Sequence, residues 1–190
     1  MIDAAVLPVL RRLLEGPAQA LVARRVGADA ITIAGFGLGM AALPALWAGW
    51  FWLALVLIVL NRLCDGLDGA VARLSGATDR GAFLDIVLDF QFYAAIPLGF
   101  ALADPQANAL PAAILIAAFM GTGSSFLAFA VMAERRGLKA TAYPTKGIYY
   151  LGGLTEGAET IAFFLAMCLW PAAFPWLAGL FAALCVLTTG

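Results

Sequence analysis

Four aspartates fall close together in an apolar stretch: Asp65 and Asp68, then Asp85 and Asp89, around the run Asp68-Gly69-Ala70-Val71-Ala72-Arg73 and a lone Gly81. Helical positions i, i+3, i+4 and i+7 share one face, so Asp65, Asp68 and Ala72 line one stripe and Asp85 and Asp89 another. An aspartate at the centre of a bilayer costs about 2.5–3.5 kcal/mol on insertion scales, so four of them need compensation. Arg73 neutralises one at most. Converging carboxylates instead make a cage for hard divalent cations, which take oxygen ligands and keep waters or substrate phosphates in their shell. The reading is one or two Mg²⁺ or Mn²⁺ ions.

Small residues crowd the same region. Gly66, Gly69, Ala70, Ala72, Gly76 and Gly81 remove side-chain bulk, so a large ligand can lie against the backbone. Taken singly, each glycine reads equally well as close helix packing in a membrane. Together with metal ligands and with Arg73, whose guanidinium suits bidentate phosphate contact, they fit a diphosphate better. Metal, phosphate and a bilayer-facing groove suggest a lipid-linked nucleotide.

The elements that must hold these residues are membrane helices. Of 190 residues 64% are hydrophobic and only 12% charged, a balance far from that of soluble domains. A hydrocarbon core about 30 Å thick needs roughly 20 apolar residues of helix. Such runs occur near 28–49, 50–73, 81–103, 109–133, 146–169 and 172–189, which predicts an all-α integral membrane protein with six spans. Turns are expected at Gly49-Trp50, Ser75 to Arg80, Asp104-Pro105-Gln106, Glu134 to Lys146 and Pro171 to Pro175. Spans two and three, joined by a short turn, are expected to be antiparallel neighbours with facing acidic stripes.

Lys and Arg favour the cytoplasmic side of short loops. Arg11, Arg12, Arg24 and Arg25 precede span one, Arg73 and Arg80 flank the second turn, and Arg135, Arg136, Lys139 and Lys146 fill the fourth. Arg62 sits towards the same end of span two. The pattern predicts an N-in, C-in topology in the inner membrane, with the acidic site opening to the cytoplasm. Residues 1–27 lack the uninterrupted apolar core of a secretory signal. Val6, Val9, Leu10, Leu13 and Leu14 have near-helical spacing against Arg11, Arg12 and Glu15, which predicts an interfacial amphipathic helix and linker; Pro8 and Pro17 favour a frayed tail instead. The transmembrane domain would then be 28–190.

Cys64, Cys168 and Cys185 lie in apolar surroundings and read as small core residues, and the lack of histidine removes His-based catalysis. Trp47, Trp50, Trp170 and Trp176 fall at outer span ends as an interfacial belt. Gly35, Gly37 and Gly39 in span one read as packing positions. So do Gly121, Thr122, Gly123, Ser124 and Ser125 in span four, where the contact could be that of a dimer.

The stretch Asp65-Gly66-Leu67-Asp68-Gly69-Ala70-Val71-Ala72-Arg73, a gap of seven, then Gly81-Ala82-Phe83-Leu84-Asp85-Ile86-Val87-Leu88-Asp89 resembles the signature of the CDP-alcohol phosphotransferases (CDP-alcohol phosphatidyltransferases). That signature reads D-x-x-D-G-x-x-A-R, a gap of seven or eight, then G-x-x-x-D-x-x-x-D. Every defining position is present, and the six-span layout with a preceding surface helix matches as well. The resemblance implies that Asp65, Asp68 and Asp85 hold a metal pair, and that Asp89 both contacts metal and serves as general base towards an acceptor hydroxyl. It assigns Gly66, Gly69, Ala72 and Arg73 to the CDP moiety and lets Gly81 admit the nucleotide. Family members often carry Pro-Asn-x-x-Thr at the start of span one. Here Ala28-Asp29-Ala30-Ile31-Thr32 keeps only Thr32, the one nucleotide contact this segment offers.

The activity implied is phosphatidyl or substituted-phosphoryl transfer from a CDP-linked lipid to a small alcohol, with CMP released and a homodimer as the assembly. Partners are then the lipid donor, the alcohol or alcohol phosphate and the membrane, not nucleic acid. Arg135 and Lys146 are candidates to hold a phosphorylated acceptor, and equally obey the positive-inside pattern. Glu156 and Glu159 share a face of span five. They have three readings: holding an amine-bearing acceptor, completing a metal shell through water, or pairing with Arg62 or Lys146. The rival class is a cation transporter or channel, which should show inverted repeats or acids spread across the bilayer. Almost every acid here lies towards one side.

Overall fold

The computed structural model describes residues 2–137 and 157–189, with side chains from residue 13 onward. Within them run α1 (Ile2–Ala23), α2 (Ala28–Trp47), α3 (Phe51–Ser75), α4 (Asp79–Ala103), α5 (Pro105–Arg135), α6 (Gly157–Leu169) and, after a 3-10 turn at Pro171–Ala173, α7 (Phe174–Thr189). No strand occurs among the described residues. Helices α2, α4 and α5 and the segment Pro171–Thr189 are each long and apolar enough to cross a membrane, so the chain is a multi-pass membrane protein. At 25 residues α3 has the length, but its second half carries Asn61, Arg62, Asp65, Asp68 and Arg73. Of the expected fifth span the described part is α6, 13 residues long.

Two helix starts differ from the expected turns, each for a local reason. Asp104 is an N-cap whose carboxylate accepts the Ala107 N–H at 3.1 Å, and Pro105 follows at a position where a missing N–H costs nothing. The helix therefore begins several residues before the apolar run does. Likewise Thr78 caps α4 by accepting the Gly81 N–H at 3.0 Å, which draws Arg80 into the helix rather than the turn. The break between α3 and α4 is left to Gly76, whose φ of 99° excludes other residue types without strain.

The two acid-bearing helices do not pack on one another as expected. Instead α2 packs along both α3 and α4, while α3 and α4 barely approach. The glycines of α2 make this possible. A Cβ on Gly35 would lie 2.6 Å from Cys64 Cβ, and one on Gly39 would lie 2.7 Å from Phe92 Cδ2. The packing expected of α2 holds at these two positions, whereas Gly37 faces open space. With α2 as a floor, α3 and α4 become the walls of a groove, and their like-charged carboxylates meet across a gap rather than in a packed seam. Gly35→Ala has no soft neighbour to displace, because Cys64 Cβ is fixed to the backbone. We expect a loss of about 1–3 kcal/mol, read as a lower Tm in detergent, with reduced activity alongside.

Beneath the groove an aromatic core joins the remaining helices. Phe92 and Tyr93 of α4 meet Phe164 of α6 edge-on, Phe119 of α5 meets Phe181 of α7, and Phe100 stacks on Phe174 at 4.5 Å. Cys168 and Cys185 are buried in this core, as their apolar surroundings suggest. The N-terminal segment is a helix and not a frayed tail. Its inner face is Leu14, Ala18, Leu21 and Val22 against Ala70 and Val71 of α3, while Leu13 is exposed. The turns before α3 and after α6 line a common cleft, and Trp47, Trp50, Trp170 and Trp176 stand exposed around that end. The aspartates lie about 20 Å further along α3, at 1.5 Å per residue from Trp52.

Candidate active site

Each wall of the groove contributes two carboxylates and the floor contributes polar support. Asp65 and Asp68 come from α3, Asp85 and Asp89 from α4, and Thr32, Gly35 and Phe36 from α2. One oxygen each of Asp65, Asp68 and Asp85 lies within 4.8 Å of the others. An ion with bonds of about 2.1 Å would need only small rotations to bind all three, and an all-carboxylate set suits Mg²⁺ or Mn²⁺. The donor chemistry therefore fits a divalent cation. Asp68 is buried, Asp65 half-buried and Asp85 exposed, so the trio grades from floor to mouth.

Asp68 is fixed from below. Thr32 Oγ1 lies 2.6 Å from Asp68 Oδ2 and 3.1 Å from the Ala28 carbonyl. With one proton to give, the hydroxyl favours the shorter, charge-assisted bond to the carboxylate. Thr32 thus orients an aspartate.

Asp89 has different company. Arg62 donates Nη2–H to Asp89 Oδ1 at 2.6 Å and Nη1–H to Oδ2 at 3.4 Å, and the Tyr93 hydroxyl lies 3.4 Å from the same Oδ2. Arg62 Nη1 is also 3.6 Å from Asp65 Oδ2. The guanidinium is steadied by its Nε–H bond to Asn61 Oδ1 at 2.9 Å and lies 5.1 Å from the Phe92 ring centroid. Asn61 in turn donates to the Gly35 carbonyl at 2.9 Å, tying the assembly to the floor. Arg62, Asn61 and Tyr93 are site residues that the aspartate pattern does not reveal. An arginine three residues before Asp65 on an apolar helix is the signal that points to them, since a charge at that depth needs a partner.

The other expected residues lie at the periphery. Gly69 borders Arg73, whose Nη1 would be 3.4 Å from an added Cβ; Arg73 is exposed, and Gly66 and Ala72 are half-buried. A Cβ on Gly81 would stand 3.2 Å from Thr78 Oγ1 and 3.3 Å from Asp29 Oδ1, and Asp29 itself pairs with Arg80 at 3.4 Å. Arg135 closes α5, exposed, and Glu159 stands in the first turn of α6, half-buried. Lys139, Lys146 and Glu156 lie outside the described residues.

A family model described as CDP-alcohol phosphatidyltransferase matches residues 25–189. The chain belongs to that family. It is an enzyme of the CDP-alcohol phosphatidyltransferase class, as the aspartate signature implies. The chain is 51% identical to the inner membrane protein YnjF of Escherichia coli (strain K12) over 189 residues, covering all of this chain and 92% of the relative. Its fold is that of Mycobacterium tuberculosis phosphatidylinositol phosphate synthase (PgsA1), solved with CDP-DAG bound. The TM-score is 0.74 at 24% identity, over 94% of this chain and 90% of the synthase.

A CDP-alcohol phosphatidyltransferase with a threonine beneath its buried aspartate should depend on that hydroxyl. Thr32→Val keeps the shape and removes the donor, and outer-sphere partners of metal ligands typically contribute 10–100-fold in metal affinity or activity. We expect about a tenfold rise in the Mg²⁺ concentration needed for half-maximal activity, with Thr32→Ser close to wild type.

Proposed function

We propose that the protein transfers a phosphatidyl group, or another substituted phosphoryl group, from a CDP-linked lipid such as CDP-diacylglycerol to a small polar alcohol, releasing CMP in phospholipid biosynthesis. The observation that carries this reading is the trio of Asp65, Asp68 and Asp85 beside Asp89 in a groove between two membrane helices. The donor is suggested by the family and by the CDP-DAG bound to the mycobacterial synthase.

Asp65, Asp68 and Asp85 would hold the Mg²⁺ or Mn²⁺ ions, two of them when Asp89 also contributes. Ions bound there would neutralise the diphosphate and stabilise CMP as a leaving group. Asp89 accepts the proton of the acceptor hydroxyl as it attacks the lipid-bearing phosphorus. The bond from that phosphorus to the bridging oxygen breaks as the new ester forms, and the bridging oxygen leaves with CMP. Thr32 fixes Asp68 on the floor side, and Asn61 ties Arg62, the partner of Asp89, to the Gly35 carbonyl. Gly66, Gly69, Ala72 and Gly81 leave room for the nucleotide, with Arg73 beside its phosphates. The acceptor remains one of two classes, an alcohol phosphate held by Arg135 and Lys146 or an amino alcohol drawn by Glu156 and Glu159.

The six-span, N-in and C-in arrangement of residues 28–190, preceded by an interfacial segment at 1–27, belongs to the same reading. It sets the groove at the cytoplasmic face of the inner membrane, in a homodimer. The experiment is CMP release by purified protein in detergent, with CDP-diacylglycerol and a panel of phosphorylated and amino alcohols, with and without EDTA. Release that needs both a divalent ion and one class of alcohol supports the proposal. No release with any alcohol, alongside cation flux in vesicles, would replace it with a transporter.

A further inference from the structure

Arg62 brings a fixed positive charge to two of the carboxylates expected to hold divalent ions. Its Nη1 lies 3.4 Å from Asp89 Oδ2 and 3.6 Å from Asp65 Oδ2, bridging the carboxylates of the two groove walls, while Nη2 makes the shortest contact, 2.6 Å to Asp89 Oδ1. Asp65 also belongs to a second group of carboxylates. Oxygens of Asp65, Asp68 and Asp85 converge within 4.8 Å, a cation position ready to be filled by small side-chain rotations. The four carboxylates are thus divided: oxygens of three converge as a divalent ion requires, and Asp89 is paired with a guanidinium.

We propose that Arg62 is a tethered counter-cation, holding Asp89 and Asp65 in the metal-free protein and yielding Asp89 when a second divalent ion binds. The inference rests on the two-ion reading of the site. Two features of the geometry support an exchange over a permanent ion pair. Nη1 at 3.4–3.6 Å from both carboxylates is well beyond the ideal for charge-assisted bonds, so one strong contact is what must be surrendered. The arginine also has anchors that do not involve Asp89: Nε–H bonds Asn61 Oδ1 at 2.9 Å, and the guanidinium carbon lies 5.1 Å and 5.8 Å from the Phe92 and Tyr93 ring centroids. Released from Asp89, the cation keeps a desolvated resting place on aromatic faces. Arg62 is on this account a positioning residue: it keeps the groove walls from repelling one another while empty, and it frees Asp89 for proton transfer only once the ions are in place.

The test is a Mn²⁺ titration followed by electron paramagnetic resonance, with the thermal shift caused by Mn²⁺ measured alongside, for wild type, Arg62→Gln and Arg62→Lys in detergent without substrate. Wild type should bind two ions with separated affinities. Removing a competing positive charge from a partly buried site should tighten the weaker ion by at least about tenfold in Arg62→Gln. The same variant should have a lower Tm in EDTA and a larger rise on adding Mn²⁺, since linkage converts tighter binding into stability. Arg62→Lys keeps the charge and should fall between. If Arg62→Gln proves too unstable to titrate, Arg62→Lys carries the comparison. Two bound ions with unchanged or weaker affinity in the variants would overturn the exchange and leave the two-ion reading standing. Failure of wild type to bind a second ion would overturn both.

Discussion

Asp89→Asn should lower CMP release by roughly 10²–10⁴-fold, the usual contribution of a positioned general base, while donor affinity changes little. Asparagine has the same shape: its carbonyl oxygen at the Oδ1 position can still accept Arg62 Nη2–H, and its NH2 at the Oδ2 position can donate to the Tyr93 hydroxyl oxygen, at the loss of only the long Arg62 Nη1 contact. What it cannot do is accept a proton from an incoming alcohol. The preformed trio of Asp65, Asp68 and Asp85 is untouched, so the first ion and the diphosphate should still bind. Two measurements separate this role from a structural one. Equilibrium binding of CDP-diacylglycerol to the variant should remain within a fewfold of wild type, and single-turnover rates should fall by the same factor as steady-state rates. If Asp89 served only as a counter-ion for Arg62, the variant would instead lose stability and donor binding while single turnover stayed near normal. Normal turnover would remove Asp89 from the base role altogether.

Much of this site was legible before any coordinates because its ligands are carboxylates on regular helices. Spacing of three and four residues fixes which aspartates share a face, and the penalty for charge in lipid makes each one informative. The convergence of Asp65, Asp68 and Asp85 follows from that logic. The packing of the helices did not follow. A short turn between consecutive spans suggests neighbours, yet α3 and α4 are held apart because α2, thinned by Gly35 and Gly39, packs along both. Those glycines were readable as packing positions, but not the surfaces they meet, because a small residue in a membrane helix records a close approach without naming its partner. The partners of Thr32 and Arg62 were hidden for a related reason. Their roles lie in contacts across 36 and 27 residues of sequence, to Asp68 and Asp89 respectively, and no periodicity within one helix encodes such a pairing. The helix starts at Asp79 and Pro105 erred differently, since a hydropathy window marks the apolar run whereas the cap marks where hydrogen bonding begins.

Asp68→Asn should be at least as damaging as Asp89→Asn, and by a different route. Asp68 is the buried member of the trio, 7% exposed, and Thr32 Oγ1 ties it to the floor at 2.6 Å. The asparagine carbonyl can still accept that hydroxyl, so the side chain should keep its place and the fold its stability. The lost negative charge is what matters, because a hard divalent ion draws its affinity from anionic oxygen. Changes to outer-sphere partners already cost 10–100-fold, so replacing a ligand should weaken ion binding by roughly 100-fold or more, beyond the effect of Thr32→Val. The distinguishing measurement is metal rescue. Raising Mn²⁺ should restore part of the activity of Thr32→Val, whose ligand set is intact, far less for Asp68→Asn, and least for Asp89→Asn, where a weaker second ion is compounded by the loss of a proton acceptor that no metal concentration replaces. Equal rescue of all three would mean that the aspartates act as one electrostatic sink, without a division between an ion-holding trio and a proton-accepting Asp89.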